Sequence, residues 1–149
     1  MMSLAILAEA LKAPHVGKDA VFTGVCHDTR TLQRGDLYVA IKGEHFDGHS
    51  FLAEAITAGA VGALLARDME TPLPYVRVPN TRLGLGNLGA FWRGQFKIPV
   101  IAVTGSNGKT TVKEMIGAML GETGPGCVTR GNLNNDIGVP LTLSRLRAG

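Results

Sequence analysis

The chain has 149 residues, of which 45% are hydrophobic and 18% charged, and its formal net charge is +3. This composition is that of an ordinary globular protein that can bury a core, and it gives no indication of nucleic-acid binding. The longest largely apolar stretch, residues 55–66, is too short to span a bilayer, and the N-terminus lacks the pattern of a secretory signal. We therefore expect a cytoplasmic protein without membrane insertion, whose two cysteines, Cys26 and Cys127, stay reduced.

The first half of the chain alternates short helices with short apolar strands, which is typical of an α/β fold. Ser3 is placed to cap a first helix, which Pro14 ends. A second helix is predicted at residues 51–58. Strands are predicted from β-branched and apolar runs at residues 21–25, 37–41, 61–65 and 75–78.

A longer helix is predicted at residues 81–96, where Leu85, Leu88, Trp92 and Phe96 follow helical spacing. The same segment contains Gly84, Gly86, Gly89 and Gly94. A glycine within a helix costs about 1 kcal/mol relative to alanine, so this helix needs its aromatic face to be packed. We expect Phe91, Trp92 and Phe96 to belong to the core.

Residues 100–111 combine a β-branched apolar run, two glycines, and a lysine followed directly by two threonines. The apolar residues that follow lie on one face of a helix: Val112, Met115, Ile116, Met119 and Leu120. A strand, a glycine-containing loop and a helix in this order form the context that indicates phosphate binding. The alternative is an ordinary strand-to-helix turn, because Val103 stands where the common loop has its first glycine.

Each residue type in this loop has a physical role in phosphate binding. Gly105 and Gly108 let the backbone approach a phosphate, and the N–H groups at the helix N-terminus face the anion. Lys109 is expected to reach the terminal phosphates, and the hydroxyl of Thr110 is expected to ligate magnesium. The predicted nucleotide site comprises Thr104, Gly105, Ser106, Asn107, Gly108, Lys109, Thr110 and Thr111.

A short strand, residues 127–129, and an asparagine-rich loop, residues 131–136, follow the phosphate-loop helix. Ligand sites of open α/β sheets lie beyond the carboxyl ends of the strands, which is where this loop is expected. Asn134 or Asn135 is therefore expected to help position the γ-phosphate or a substrate carboxylate. The alternative is that these asparagines only form the loop, since asparagine tolerates left-handed backbone conformations.

The loop at residues 104–111 resembles the ATP loop of the Mur ligases, the ATP-dependent amide-forming enzymes of peptidoglycan precursor synthesis. Their loop also lacks the distant first glycine. Residues 131–143 are similar to the member that adds D-alanyl-D-alanine. Residues 28–30, 34–43 and 46–49 resemble the family's domain for the UDP-muramoyl substrate. The motifs occur in the family's order and cover the chain from about residue 21 onward.

The resemblance implies an α/β protein in two parts. Residues 1–97 correspond to the UDP-muramoyl substrate domain, and residues 98–149 to the opening part of a P-loop parallel-sheet ATPase domain. The implied cofactors are ATP and magnesium, and the implied substrates are UDP-N-acetylmuramoyl-tripeptide and D-alanyl-D-alanine. A monomer is expected. Because the chain corresponds to part of the family enzyme, these residues alone are expected to be inactive.

The resemblance also implies which residues act. Lys109 is expected to be catalytic by neutralising charge on the transferring phosphoryl group. The residues expected to contact the substrates are Asp28, Thr29, Arg30, Lys42, Gly43, Asp47, Gly48, His49, Asn134 and Asn135. On residues alone, Arg30 can equally be a solvated surface arginine, and residues 47–49 a turn that begins a helix. His15, His27 and His45 are expected to be surface or loop residues.

Two other functions remain open at this stage. Another ligase of the superfamily, such as the diaminopimelate- or lysine-adding enzyme or folylpolyglutamate synthase, would share the ATP loop. A non-catalytic UDP-sugar-binding module would share the first part of the chain.

Overall fold

The computed structural model describes residues 1–148, which form seven short strands and five α-helices. The strands are β1 (Met2–Ser3), β2 (His15–Val16), β3 (Val21–Phe22), β4 (Gly24–Cys26), β5 (Asp36–Val39), β6 (Gly62–Leu65) and β7 (Tyr75–Arg77). The helices are α1 (Leu4–Leu11), α2 (Leu52–Ala58), α3 (Thr81–Gly94), α4 (Lys109–Gly121) and α5 (Gly138–Leu143), and a 3₁₀ helix (Gly48–Phe51) precedes α2.

The main sheet has the strand order β2-β7-β6-β5-β4. Strands β4, β5, β6 and β7 are parallel to one another, and β2 pairs antiparallel with β7. A separate two-stranded ribbon joins β1 and β3. Because the four parallel strands point the same way, the loops that follow them emerge at one edge of the sheet, the carboxyl edge.

Alternating side chains of the central strands bury both faces of this sheet. Leu37 and Val39 of β5 lie in a cluster with residues of α1 and α3. Tyr38, between them, lies in a second cluster with Leu52 and Ala55 of α2. The period of two therefore gives a three-layer arrangement, with α1 and α3 on one face of the sheet and α2 on the other.

The glycine-rich helix α3 forms because its small positions allow close packing. An added Cβ at Gly89 would lie 2.9 Å from the Cα of Pro140 in α5. The indole N–H of Trp92 donates to the carbonyl of Leu146 at 3.0 Å, and the Trp92 ring meets Phe96 edge to face with a centroid distance of 5.2 Å. The sequence indicated that this helix needs its aromatic face to be packed. Contacts with α5 and with Leu146 beyond it supply that packing at Gly89 and Trp92.

The α/β class predicted from the sequence is confirmed, and the strands and helices of the first part differ from prediction mainly at their ends. Ser3 caps α1 by accepting from the backbone N–H of Ile6. The strand predicted at residues 21–25 is two strands, β3 and β4, which belong to different sheets. The two-residue strands β1 and β2 were missed, because so short a segment carries no periodic signal.

The strands predicted at residues 100–103 and 127–129 are wrong for this structure, which has no strand in either segment. Val100 and Ile101 remain 59% and 56% exposed. Within the part of the chain that the structure describes, neither segment has a neighbouring strand to complete its ladder. An apolar β-branched run alone does not form a sheet, because a strand's hydrogen bonds are made with its neighbours.

Residues 1–148 contain no helix both long and apolar enough to cross a membrane.

Candidate functional site

The carboxyl edge of the sheet brings together loops that are distant in sequence. Residues 28–30 follow β4, residues 42–49 follow β5, and residues 66 and 67 follow β6. The loops after β5 and β6 are joined directly, because a guanidinium N–H of Arg67 donates to a carboxylate oxygen of Asp47 at 2.9 Å. Several of the residues predicted to bind substrate therefore share one edge.

His49 is buried at this edge, and its ring is fully engaged. Its side chain is 2% exposed, and Nδ1 lies 2.6 Å from Oδ1 of Asp47. Nε2 accepts the backbone N–H of Ala66 at 2.9 Å. Since Nε2 accepts, the ring proton is on Nδ1 and is donated to Asp47. His49 thus holds two loops together and has no ring nitrogen left for a ligand.

The carboxylate of Asp47 is stabilised in its charged form. Partial burial acts to raise its pKa, but hydrogen bonds from the backbone and ring of His49 and from Arg67 outweigh burial and hold the pKa below its ordinary value. The backbone N–H of His49 donates to Asp47 at 3.0 Å, so Asp47 also caps the 3₁₀ helix. Residues 47–49 therefore form the helix-starting turn that the sequence analysis gave as the alternative to substrate contact.

Gly48 fits a space that no larger residue can enter. An added Cβ would lie 2.7 Å from both the backbone N and O of Ile41. Its N–H donates to the carbonyl of Ile41 at 2.8 Å, and its carbonyl accepts the buried hydroxyl of Tyr38 at 2.8 Å. Burial raises the pKa of Tyr38 to about 12, so the phenol stays a donor. Residues 47–49 therefore form the rigid support of this edge.

Residues 28–30 provide polar and charged side chains at the carboxyl edge. Arg30 donates to both carboxylate oxygens of Asp28, through Nε at 2.9 Å and Nη2 at 2.7 Å. These hydrogen bonds lower the pKa of Asp28 to about 2. The Arg30 side chain is 86% exposed, and Lys42 is also exposed. A guanidinium and an ammonium at one edge suit an anionic ligand.

Arg67 is the residue at this edge that the sequence analysis missed. Its side chain is 53% exposed while it contacts Asp47. The signal that could have found it is its position directly after the apolar strand β6. In a parallel sheet that position lies at the same edge as residues 28–30 and 42–49.

The predicted phosphate loop has the required backbone. Gly105 and Gly108 have φ values of 150° and 74°, in the left-handed region that favours glycine. Helix α4 begins at Lys109, and no side chain in residues 1–148 caps its N-terminus. The N–H groups of the first turn are therefore available to an anion, which confirms the predicted loop-to-helix geometry.

Side chains at the start of α4 connect the phosphate loop to the asparagine-rich loop. Lys109 Nζ donates to the carbonyl of Gly105 at 2.5 Å, across the loop. The hydroxyl oxygen of Thr110 lies 3.4 Å from the side-chain oxygen of Asn132. Lys113 Nζ donates to the carbonyl of Thr129 at 2.6 Å. Asn132 is thus the asparagine that meets the phosphate loop.

Asn134 and Asn135 occupy a different place. The side-chain oxygen of Asn135 accepts the backbone N–H of Gly138 at 2.7 Å and caps the start of α5. Asn134 is exposed and lines an open groove of about 440 Å³ between α3 and the loop. An ion pair of Arg82 with Asp136, at 3.4 Å, joins the two sides of the groove. The structure therefore brings neither residue into a hydrogen bond with the phosphate loop.

The fold and loops define an α/β protein with a glycine-containing loop at the start of α4 and a carboxyl edge that gathers charged side chains. The sequence pattern of the "Mur ligase family, catalytic domain" matches residues 21–91, and that of the "Mur ligase middle domain" matches residues 103–149. Together the two patterns cover most of the chain, which belongs to the Mur ligase family.

Individual relatives agree with this assignment. The chain is 46% identical over 145 residues to the UDP-N-acetylmuramoyl-tripeptide–D-alanyl-D-alanine ligase of Escherichia coli, covering 97% of this chain and 32% of that protein. A solved ligase structure from Acinetobacter baumannii, named for D-alanyl-D-alanyl addition, is 39% identical with a TM-score of 0.88, covering 98% of this chain and 34% of that one.

A third relative was solved with nucleotide. The MurF ligase of Thermotoga maritima, in complex with ADP, is 32% identical with a TM-score of 0.73, covering 88% of this chain and 31% of that chain. The chain therefore spans about a third of the length of the relatives it matches.

Proposed function

We propose that this chain supplies the substrate-binding domain and the ATP loop of an ATP-dependent ligase that joins D-alanyl-D-alanine to UDP-N-acetylmuramoyl-tripeptide. The observation that carries the proposal is a glycine loop with Lys109 at the start of α4, in a chain 46% identical to the E. coli ligase of that name. Residues 1–97 form the substrate domain in this proposal, and residues 98–149 begin the ATP-binding domain. The ligase acts as a cytoplasmic monomer.

The carboxyl edge binds the UDP end of the substrate. Arg30 and Lys42 face the diphosphate, and the Thr29 hydroxyl suits a uracil edge. Asp28 accepts hydrogen bonds from the Arg30 guanidinium at 2.7, 2.9 and 3.2 Å and so limits its rotation. Gly43 and residues 47–49 shape the loop in this proposal. The His49 ring and the Asp47 carboxylate are engaged within the protein and do not contact the ligand.

ATP and magnesium fit the second site on structural grounds. The two glycines leave open space for a phosphate, since an added Cβ at Gly108 would meet no atom within 4 Å. The oxygens of Thr110 and Asn132, 3.4 Å apart, are the hard donors that magnesium prefers. When bound, ATP would supply the phosphoryl group that activates the tripeptide carboxylate and would leave as ADP, and the amine of D-alanyl-D-alanine would then form the amide bond with release of phosphate.

The protein contributes charge and position to this reaction. Lys109 exchanges the Gly105 carbonyl for a phosphate oxygen and compensates the negative charge that develops in transfer. The N–H groups of the first turn of α4 hold the phosphates in place. Asn134, exposed in the groove, is available to the substrate carboxylate.

A segment exchange tests the ligase reaction. Residues 1–148 replace the matching third of the E. coli ligase, and phosphate release is measured with ATP, UDP-N-acetylmuramoyl-tripeptide and D-alanyl-D-alanine. We expect release that depends on the dipeptide. A folded chimera that works only with diaminopimelate or lysine and the UDP-muramoyl-dipeptide would assign the segment to another ligase. A chimera that binds the UDP-substrate without ATP-dependent turnover would indicate a non-catalytic module.

Calorimetry on the chain itself tests the substrate edge. Arg30→Ala is expected to weaken binding of UDP-N-acetylmuramoyl-tripeptide by roughly 1.5–3 kcal/mol, the value of a charge-assisted hydrogen bond. Arg34→Ala is the matched control, because Arg34 is an exposed arginine just before β5, at the opposite edge of the sheet. Equal affinities of the two variants would return Arg30 to the role of a solvated surface residue.

A further inference from the structure

The segment after the phosphate-loop helix packs on the first part of the chain. Gly89 of α3 and Pro140 of α5 are so close that an added Cβ would lie 2.9 Å from the Pro140 Cα. Trp92 donates to the Leu146 carbonyl at 3.0 Å, and Arg147 donates to the Thr23 carbonyl at 2.5 Å. Helix α5 is therefore fixed to α3, although the phosphate loop lies between them in sequence.

Helix α5 in turn fixes the asparagine-rich loop. Asn135 caps the helix through Gly138 at 2.7 Å. At Gly138 an added Cβ would lie 2.5 Å from the Cα of Leu133, so the loop is folded tightly against the start of the helix. The ion pair of Asp136 with Arg82 ties the same loop to α3.

The loop then contacts the first turns of α4. Asn132 meets the Thr110 hydroxyl at 3.4 Å. Lys113 reaches the carbonyls of Thr129 at 2.6 Å and Gly131 at 3.4 Å. At the other end of this chain of contacts, the Thr81 hydroxyl of α3 donates to the Ala40 carbonyl at 2.7 Å, at the carboxyl end of β5.

We propose that the substrate domain positions the phosphate loop through α3, α5 and the asparagine-rich loop, with Gly89 and Asn132 as positioning residues for Lys109 and Thr110. The contacts form one continuous path from the carboxyl edge to the first turn of α4. Displacement of α5 moves residues 131–137, and the start of α4 then loses the partner of Thr110. The effect on ATP rests on the proposed function, whereas the conformational coupling does not.

Hydrogen–deuterium exchange on the chain without nucleotide tests the coupling. Gly89→Ala forces α5 away from α3, because the atom it meets belongs to the Pro140 backbone. Uptake at residues 112–116, the first amides of α4 that donate within the helix, is expected to rise several-fold. Gly94→Ala, in the same helix as Gly89, is the matched control, since an added Cβ there would meet no atom within 4 Å. It is expected to leave uptake at residues 112–116 unchanged.

A double-mutant comparison separates positioning from general loosening. Asn132→Ala is expected to raise uptake at residues 112–116 as Gly89→Ala does, and the double variant is expected to add little, because both act on one path. Additive effects, or faster exchange of α5 with residues 112–116 unchanged, would overturn the proposal. If Gly89→Ala does not fold, Trp92→Phe is used instead, because it removes the hydrogen bond to Leu146. The results that support or overturn the proposal are then the same as for Gly89→Ala.

The consequence for nucleotide is measured in the chimera. Gly89→Ala is expected to raise the KM for ATP several-fold and leave the affinity for UDP-N-acetylmuramoyl-tripeptide unchanged. Equal losses for both ligands would indicate a merely structural role and overturn the proposal. A wild-type chimera that does not use ATP would refute the proposed function, while the exchange result would still decide the coupling.

Discussion

Among single residues, Asp47 shows how one carboxylate can order two loops. It accepts from the backbone and ring of His49 and from Arg67, at 3.0, 2.6 and 2.9 Å. Each partner belongs to a loop at the carboxyl edge, and each hydrogen bond favours the charged carboxylate over the neutral acid. The edge therefore depends on the charge of Asp47 as well as on its position.

Asp47→Asn is expected to lower the free energy of unfolding by about 1–3 kcal/mol at neutral pH, because charge-assisted hydrogen bonds are lost. The pKa of Asp47 lies below its ordinary value of 3.8, so the folded state keeps the carboxylate charged where the unfolded state takes up a proton. This stabilisation is present above that value and is lost as pH falls below it.

Urea unfolding at about pH 5 and about pH 3 measures this dependence, since the wild type should lose more stability on acidification than Asp47→Asn does. An equal loss in both proteins would show that Asp47 does not contribute to the acid sensitivity of the fold.

Among the elements, α3 shows that glycines within one helix can have opposite consequences. An added Cβ at Gly84 would lie 3.0 Å from Val78 and 3.1 Å from Leu64 in the core, whereas at Gly86 it would meet no atom within 4 Å. The helix propensity gained on replacing either glycine is the same. The packing around each position decides the net effect.

Gly86→Ala is therefore expected to raise the free energy of unfolding by about 0.4–1 kcal/mol, through propensity and a less flexible unfolded chain. Gly84→Ala is expected to be neutral or destabilising, because crowding in the core offsets the same gain. Denaturant unfolding of the pair measures the difference. Equal stabilisation by both changes would mean that Val78 and Leu64 shift to accept the added methyl group at little cost.

In the whole molecule, the carboxyl edge and the phosphate loop are separate candidate sites with different chemistry. Residues 28–30 and 42–49 carry the first, and residues 104–111 carry the second. Lys109 forms its hydrogen bond within its own loop, at 2.5 Å from the Gly105 carbonyl. Because that hydrogen bond is not among the contacts that lead from α3 through Asn132 to Thr110, removal of the lysine side chain is expected to leave the contacts of the carboxyl edge in place.

Lys109→Ala in the chimera is expected to reduce phosphate release by several orders of magnitude, because the lysine compensates charge in phosphoryl transfer. Binding of UDP-N-acetylmuramoyl-tripeptide is expected to stay within about twofold, since no interaction of the edge is removed. Phosphate release and calorimetry give the two values, with Lys18→Ala as an exposed control. Substantial turnover by Lys109→Ala would refute the role given to the lysine.

Much of this molecule follows from its sequence because the signals are local. The glycines and Lys109 predict the loop and the start of α4 within a few residues, and the apolar run at residues 37–41 predicts a strand. The Ser3 cap and the glycine-rich α3 are likewise visible in short windows. The two-part organisation, by contrast, is an expectation from the resemblance to the Mur ligases and not from periodicity.

Tertiary structure alone decided the contacts between distant segments. The sequence analysis predicts that His49 contacts the substrate, but both of its ring nitrogens are already hydrogen-bonded, one to Asp47 and the other to Ala66. Asn132 faces Thr110, whereas Asn135 caps α5, and nothing in the spacing of the asparagines distinguishes them. Residues 100–103 have strand composition but no neighbouring strand in residues 1–148. Propensity and spacing act over a few residues, whereas burial, hydrogen-bond partners and strand pairing depend on what the fold places alongside.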